Sequence, residues 1–247
     1  MNPYFSVIIP AKNEEIKLPI LLQSLAIQTN KDFEVIISDD NSTDDTAKLS
    51  NSFKDKFINY QLITHQSACV SKGRNIGAQK ANGKYLIFFD ADVEVAPNFI
   101  AGIKNHIEKN NLDALSVWNR PKNASWKGKL FLFLLNICMT LAQKIKPVIN
   151  GPCMIIKKEL FHQINGFDET IVFAEDIDLI QRADDKKAKF AIFANPIIYV
   201  STRRFEKEGL LITFYRVITA FFHIAFIGPI RKPIFRYEMG GQYFRKK

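Results

Sequence analysis

Two aspartates, Asp90 and Asp92, stand on either side of Ala91 directly after Tyr85 to Phe89, a continuous apolar run. Two carboxylates this close repel each other unless a positive charge lies between them. A hard divalent cation supplies such a charge, and Mg²⁺ usually shares its coordination shell with substrate phosphates. A metal held there would neutralise the charge that builds on a departing diphosphate. The alternative is a solvated acidic turn or a helix start near Pro97.

The apolar run before the aspartates is one of four predicted strands that alternate with helices. β-Branched and aromatic residues predict these strands at Phe5 to Ile9, Phe33 to Ser38, Tyr60 to Thr64 and Tyr85 to Phe89. Helical spacing of apolar residues predicts the helices between them, including one that begins at Ser71. This alternation is typical of an α/β protein with a parallel, mostly buried sheet.

Polar residues follow three of these strands at once. They are Pro10 to Glu14 after the first strand, Asp39-Asp40 after the second, and Asp90 to Asp92 after the fourth. Ligands of parallel sheets gather at the carboxyl ends of the strands. We therefore expect the three polar clusters to form one shared site.

The second half of the chain is more apolar. Ala114 to Trp118 and Met154 to Ile156 are predicted strands, and Glu175 to Arg182 is a predicted helix that opens with acids. A very apolar helix is predicted at Leu130 to Leu141, and it is shorter than the roughly 20 residues that a bilayer span requires. A final apolar stretch runs from Leu210 to Ile230.

Composition favours one larger domain, or a domain with an appended segment, with a sizeable core: the chain has 247 residues and is 47% hydrophobic. The three cysteines and four histidines fall in no disulfide or metal-ligand spacing, so structural roles are expected for them. The first residues lack the basic and apolar regions of a signal peptide. We therefore expect a cytoplasmic protein.

The net charge of +9 is concentrated in two regions. Residues 119–146 hold six basic and no acidic side chains, and residues 203–247 hold ten basic and three acidic ones. Because these charges alternate with aliphatic and aromatic runs, they suit an anionic membrane surface better than nucleic acid. The pattern favours peripheral contact at the inner face of the cell membrane, and no nucleic-acid partner is expected.

Three interpretations of the two apolar segments stay open. They could be core or homo-oligomer helices, or interfacial helices that bring the site to a lipid-linked or membrane-bound acceptor. They could also span a membrane, although Arg216, His223 and Pro229 interrupt the longer segment.

Five motifs in order resemble those of family 2 glycosyltransferases. They are SVIIPAKNEE (Ser6 to Glu15), FEVIISDDNSTDDT (Phe33 to Thr46), KGRNIGAQKANGKYLIFFDAD (Lys72 to Asp92), NGFDE (Asn165 to Glu169) and FAEDIDL (Phe173 to Leu179). The resemblance implies a GT-A fold, that is, a Rossmann-like, mostly parallel sheet flanked by helices. It implies a nucleotide-sugar-binding half at 1–118, an acceptor-binding half at 119–204, and a basic, apolar C-terminal helical extension at 205–247. Its chemistry is inverting sugar transfer from a nucleoside diphosphate, usually with Mg²⁺ or Mn²⁺.

The resemblance also assigns donor-binding roles in the first half. Pro10, Lys12 and Glu14 should border the nucleoside, and Asp40 should read the base. Asp39 is expected to be structural, as the start of an Asx-type turn. Arg74 resembles an arginine near the donor phosphates, although a solvated helix charge is an equal alternative.

The metal and the catalytic base are assigned in the same way. Asp92 is expected to be the main metal ligand, with Ala91 beside it and Asp90 nearer the ribose or sharing the ion. Asp176 is expected to be the base, and the neighbouring acids Glu175 and Asp178 should raise its pKa. The alternative is a set of acids favoured by the helix dipole.

Two further loops of the second half carry expectations from the resemblance. Asn150 to Pro152 should lie beside the acceptor sugar. Arg204, within Ser201 to Phe205, should contact the diphosphate, unless it belongs to the basic surface. That segment departs from the Gln-x-x-Arg-Trp form of processive polymerases, which argues against processive synthesis. Glu94 is expected to lie at the surface.

Other classes fit these motifs less well. A nucleotidyltransferase would carry a glycine-rich loop with an arginine after the first strand, and a dinucleotide oxidoreductase would carry GxGxxG there. Pro10 to Glu15 contains no glycine. A non-catalytic nucleotide-sugar-binding protein is expected to lose Asp92 or Asp176, and both are present. The sequence thus predicts metal-dependent transfer to a glycan or lipid-linked acceptor, in cell-surface glycan or glycolipid synthesis.

Overall fold

The first half of the chain folds as a parallel sheet with helices between its strands. The structure is a computed structural model and describes residues 2–67, 69–149, 151–202 and 209–235. The elements of this half are β1 (Phe5–Ala11), α1 (Leu18–Ala26), β2 (Phe33–Asp39), α2 (Thr46–Asn51), a 3-10 turn (Lys54–Lys56), β3 (Tyr60–Thr64), α3 (Val70–Lys80) and β4 (Tyr85–Phe89). β1 pairs in parallel with both β2 and β4, and β2 with β3.

The second half extends the same sheet with mixed pairing. Its elements are β5 (Glu94–Val95), α4 (Phe99–Asn110), β6 (Ala114–Pro121), α5 (Trp126–Ala142), β7 (Cys153–Lys157), α6 (Lys158–Gln163), α7 (Glu175–Asp185), β8 (Phe190–Val200) and α8 (Leu210–Phe226). β7 lies antiparallel between β4 and β6, and β8 pairs in parallel with β6. Among the described residues the sheet runs β3-β2-β1-β4-β7-β6-β8-β5. The predicted α/β class and mostly parallel, helix-flanked sheet are confirmed.

The core lies on both faces of this sheet. Along β1, Val7 and Ile9 belong to one buried cluster with α1 and α4, whereas Ile8 belongs to a second cluster with α3, α6 and α7. Successive side chains of a strand point to opposite faces, so a strand covered on both faces must be apolar throughout. All of β4, YLIFF, is buried for this reason.

Two of the longer elements, α4 and β8, were not predicted as such: a helix start near Pro97 was only an alternative interpretation, and no strand was predicted at β8. α4 buries Phe99, Ile100, Ile103 and Ile107 on one face, a helical spacing that the neighbouring acidic motif obscured. β8 contains Pro196 and Asn195, and proline within an apolar run argues against a strand. The β6–β8 register shifts between Val117 and Asn119, opposite this stretch of β8, so the ladder accommodates the proline.

The apolar segments of the second half form helices with one exposed side. α5 is longer than predicted and begins at Trp126, where the Ser125 side chain accepts a hydrogen bond from the Gly128 N–H. α8 buries Thr213 and Ala220 and exposes several aromatic side chains. Of the helices in the described ranges, none combines the length and apolar character that crossing a membrane requires.

α3 packs closely on β1, and a glycine makes this possible. A methyl group at Gly77 would lie 2.5 Å from Cγ2 of the fully buried Ile8. A methyl group at Gly73, one turn earlier, would meet its nearest neighbour, Pro10, at 3.5 Å, an ordinary contact. The two glycines of one helix thus face different amounts of space.

We expect Gly77→Ala to lower the free energy of unfolding by about 1–3 kcal/mol, because the branched Ile8 side chain cannot move aside. Gly73→Ala should change it by less than about 1 kcal/mol, since alanine favours the helix. Urea unfolding of the two variants measures both values. Equal losses would contradict the close-approach argument.

Candidate active site

The polar loops after β1, β2 and β4 meet at one edge of the sheet, as predicted. The Asp40 N–H donates to the Ala11 carbonyl at 2.9 Å, which joins the first two loops. The Asp90 N–H donates to the Pro152 carbonyl at 3.2 Å, which brings the loop before β7 to the same edge. The site therefore combines residues of both halves of the chain.

Arg74 of α3 is the central cation of this edge. Its side chain is 3% exposed, and its two terminal nitrogens donate to Asp90 Oδ1 at 2.8 Å and to Glu175 Oε1 at 2.6 Å. The guanidinium also lies over the Phe167 ring, 5.2 Å from its centroid. Arg74 is therefore not a solvated helix charge, and the carboxylates of two different halves occupy its terminal nitrogens.

Asp90 and Asp92 lie at the carboxyl end of β4 on either side of the buried Ala91. Desolvation raises the pKa of Asp90, which the Arg74 charge lowers and the Asp92 and Glu175 charges raise. About a third of the Asp90 side chain, 35%, stays exposed. The carboxylate therefore remains accessible to a ligand.

The donor set at this turn fits a hard cation. Two aspartate carboxylates supply oxygen ligands. Desolvation is the main cause of the raised pKa of Asp90, and the charge of Asp92 adds a repulsion that a cation would relieve. In the described ranges, no three His, Cys, Asp or Glu side chains are grouped so that they could hold a metal ion. A cation bound by Asp90 and Asp92 would therefore need further oxygen ligands, such as phosphate.

Asp176 lies at the start of α7, next to Glu175. It is 8% exposed, and its Oδ1 accepts the Ile177 N–H at 2.9 Å. Burial and the charges of Glu175 and Asp90 raise the pKa of Asp176 to about 7, against the opposing effect of Arg74. Glu175 thus raises this pKa as predicted, whereas Asp178 pairs with Arg182 at 2.7 Å.

Gly151 leaves the space in front of Asp176. A methyl group built on this glycine would lie 3.3 Å from Asp176 Oδ2 and 3.8 Å from an Arg74 nitrogen. The predicted small-residue loop therefore lies beside the buried carboxylate, while its first residue, Asn150, is outside the described residues.

A second cluster surrounds Asp40, which is 15% exposed. Asp40 Oδ1 accepts the Ser67 N–H at 2.6 Å, Lys12 Nζ lies 3.9 Å from Oδ2, and Lys12 also donates to the Asp40 carbonyl. Nδ1 of His65 lies 3.8 Å from Oδ1. Lys12 and Asp40, both predicted to line the nucleoside pocket, are thus brought together.

The rest of the first loop supports this cluster. Glu14 is 7% exposed, and its backbone N–H donates to Thr46 Oγ1 at 2.7 Å. Pro10 lies 3.5 Å from the position of a methyl group on Gly73, next to Arg74. Asp39 accepts hydrogen bonds from both the backbone and the hydroxyl of Ser42, three residues on, so it has a structural role in the turn, as expected.

Sequence reasoning missed several residues that position the site. Glu175 was expected only to tune Asp176, yet it holds Arg74. His65 was assigned a general structural role, yet it bonds Ser38, whose hydroxyl donates to the Gly73 carbonyl at 2.7 Å. Asn75 exchanges hydrogen bonds with the Phe167 backbone at 2.9 Å. The NGFDE motif, which contains Phe167, was the available signal for that contact.

Two remaining predictions concern the edges of the site. Glu94 pairs with Lys122, and its side chain is 29% exposed, so it is partly accessible at the surface. Arg204 lies outside the described residues, so its predicted contact with a diphosphate stays a prediction.

Comparison with known proteins agrees with this architecture. The sequence model described as Glycosyl transferase family 2 matches residues 6–164. The chain belongs to this family. An uncharacterized glycosyltransferase of Haemophilus influenzae is 31% identical over 186 residues, which are 71% of this chain and 60% of that protein. A PGL/p-HBAD biosynthesis glycosyltransferase of Mycobacterium tuberculosis is 35% identical over 147 residues, 55% of this chain and 57% of that protein.

The chain thus spans about 60% of the length of these curated relatives. Solved structures show the same fold. TarS of S. aureus in complex with UDP has a TM-score of 0.64 at 23% identity over 88% of this chain and 63% of that one. A mannosyltransferase of Pyrobaculum calidifontis in complex with GDP-Man and Mn²⁺ has a TM-score of 0.68 at 18% identity, over 89% and 65%. The family 2 chain therefore has the predicted GT-A fold.

We expect Arg74→Met to lower the free energy of unfolding by about 3–5 kcal/mol at pH 8, because Asp90 and Glu175 lose their buried cation. Without it the pKa of Asp90 in the folded protein, already raised by desolvation, should rise further above the unfolded value, so stability is retained at low pH and lost as the pH rises. The loss should therefore be smaller at pH 5. Urea unfolding at both pH values measures it.

Lys48→Met provides the control, since it breaks an exposed pair with Asp45 at 3.7 Å. That change should cost less than about 1 kcal/mol at either pH. An equally small cost for Arg74→Met would contradict the central role of this guanidinium.

Proposed function

We propose that this family 2 chain transfers a sugar from a nucleoside diphosphate sugar to an acceptor hydroxyl, with inversion at the anomeric carbon and with a divalent metal. One observation carries the proposal: a buried carboxyl group, Asp176, has a pKa of about 7 and faces the Asp90 and Arg74 cluster across the space left by Gly151. A general base works best when its pKa lies near the working pH.

Asp176 is proposed as the catalytic base. Its carboxylate takes the proton of the acceptor hydroxyl while that oxygen bonds to the anomeric carbon. The bond between this carbon and the diphosphate oxygen breaks, and its electrons leave with the nucleoside diphosphate. Attack from the face opposite the leaving group gives inversion, and the closeness of the donor and acceptor sides supplies the required orientation.

Asp92 and Asp90 are proposed to hold Mg²⁺ or Mn²⁺. The cation would neutralise charge on the diphosphate as it leaves. Asp92 is the main ligand in this proposal, because Asp90 Oδ1 already accepts from Arg74 at 2.8 Å. Arg74 then contributes positive charge near the donor phosphates from behind the two carboxylates. Arg204 is proposed to add a diphosphate contact.

The Asp40 cluster is proposed to hold the nucleoside. The Asp40 carboxylate can accept an imide or amide hydrogen of uracil or guanine, while Pro10, Lys12 and Glu14 border the same pocket. The solved relatives contain UDP in one case and GDP-Man in the other. Both bases offer such a hydrogen, so this cluster is compatible with either donor.

The acceptor is proposed to be a hydroxyl of a glycan or of a lipid-linked sugar in cell-surface glycan or glycolipid synthesis. A lipid-linked acceptor requires the acceptor half to reach a membrane surface from the cytoplasmic side. A homo-oligomer is compatible with the same reaction.

We expect Asp176→Asn to lower kcat by about 10²–10⁴-fold, because the amide cannot take the acceptor proton. In the wild type, kcat/KM should rise with pH and level off above about pH 7, where Asp176 is deprotonated. Steady-state kinetics measures both effects, with the nucleotide sugar that a thermal-shift assay identifies as the donor. Asp185→Asn, at the exposed end of the same helix, is the control and should leave kcat unchanged. Retained turnover in Asp176→Asn would refute the base.

We expect one of the UDP, GDP, CDP or dTDP sugars to raise the thermal midpoint of the wild type, and Mn²⁺ to increase this shift, because the metal bridges donor and protein. Asp92→Ala should abolish the metal-dependent part of the shift. Thermal-shift assays with and without EDTA measure it. An Asp92→Ala protein with the full Mn²⁺ effect would refute the metal site.

A further inference from the structure

α5 carries an apolar stripe along its exposed side. Six large side chains at helical spacing lie there and are between 48% and 92% exposed: Trp126, Leu130, Phe133, Leu134, Leu141 and Ile145, the last just beyond the helix. The opposite side of α5 buries Leu132, Asn136 and Met139 against the sheet. The helix thus packs on the protein with one side and leaves a second apolar side uncovered.

Positive charge borders this α5 stripe at both ends. Lys127 and Lys129 are exposed at its start, and Lys144 and Lys146 at its end. Residues 119–146 contain no acidic side chain. An apolar stripe flanked by lysines has the pattern of a helix that lies in the interface of an anionic membrane.

α8 repeats this arrangement with aromatic side chains. Phe214, Tyr215, Ile218, Phe221, Phe222 and Phe226 form its exposed side and are between 38% and 80% exposed. Residues 209–235 contain three basic and no acidic residues. Tyrosine favours the boundary between lipid and water, because its ring is apolar and its hydroxyl stays hydrated. Phenylalanine is typical of the apolar face of an interfacial helix.

Both helices lead to the acceptor side of the site. α5 is followed by the segment that ends at Gly151, which leaves the space before Asp176. After α8, the Ile230 carbonyl accepts the Val172 N–H at 2.9 Å, and Arg231 donates to Asp168 at 2.8 Å. These contacts lie a few residues before Asp176. The exposed sides are therefore tied to the loops that border the proposed base.

We propose that the α5 stripe and the exposed side of α8 bind an anionic membrane surface, from which a lipid-linked acceptor reaches Asp176. The identity of the acceptor rests on the proposed function, whereas membrane binding does not. A second copy of the chain is a poorer occupant. In a two-fold dimer each patch meets itself, so the lysines that border the stripe would face lysines, whereas anionic lipid headgroups neutralise them.

The test is sedimentation of the full chain with phosphatidylcholine vesicles that contain or lack about one third phosphatidylglycerol. The wild type should bind the anionic vesicles at least tenfold more tightly than the neutral ones, and less tightly at high salt. Phe133→Ser with Leu134→Ser, and separately Phe221→Ser with Phe222→Ser, should each weaken binding at least tenfold. Ile58→Ser, a 79% exposed apolar residue of the loop before β3, should leave binding unchanged.

A spectroscopic measurement tests the same surface with all of its exposed side chains in place. Trp118→Phe leaves Trp126, 70% exposed, as the single tryptophan. Its emission should shift to shorter wavelength when anionic vesicles are added, because the indole leaves water.

Each outcome separates the two proposals. Full vesicle binding by both double variants, or an unshifted Trp126 emission, would overturn the membrane surface. The membrane surface would also be overturned if the wild type does not bind vesicles but forms a dimer in analytical ultracentrifugation, and if the double variants are monomers. The double variants should keep the donor-induced thermal shift of the wild type. A protein that binds vesicles but none of the four nucleotide sugars would instead overturn the proposed function and leave the membrane surface standing.

Discussion

The buried ion pairs of Arg74 are the constraint on which the site depends. The guanidinium joins Asp90, at the end of a strand in the first half, to Glu175, at the start of a helix in the second half. A buried cation must be paired, and two separate carboxylates pair it here. Because the partners belong to different halves, the aspartates that follow β4 and the proposed base, Asp176, are held at a fixed distance from each other.

The same arrangement divides three neighbouring carboxylates into different roles. Asp90 and Glu175 each accept a hydrogen bond from Arg74. The Asp176 carboxylate accepts one backbone N–H, and the negative charges of Glu175 and Asp90 lie near it. Carboxylates in one cluster are separated in pKa by such differences of environment. Asp176, which makes no direct hydrogen bond to Arg74, is the carboxyl group whose pKa rises to about 7. Such a group suits proton transfer, whereas the two carboxylates bound to Arg74 neutralise its charge.

Sequence reasoning predicted the elements and residues whose signal is local. The four parallel strands and the loops that follow β1, β2 and β4 could be placed because buried strands are continuously apolar and their ends are polar. The partners of Arg74 could not be predicted from local sequence. Residues 74, 90 and 175 come together only because α3 packs on β1 and β7 lies beside β4. β8 was missed because Pro196 contradicts its strand pattern, and only the register shift in β6 reconciles them.

The apolar helices show that sequence reasoning does not determine which side of a helix the protein covers, whereas the packing does. A run such as that in α5 is equally compatible with a buried helix and with an interfacial one, since composition alone does not define which side is covered. In the fold, one side of α5 is buried and the other keeps large side chains in water, so the run exceeds what the core uses. Exposed aromatic and aliphatic side chains add nothing to the core and favour aggregation. The proposed membrane surface would cover these side chains, and the neighbouring lysines favour an anionic partner over a neutral one.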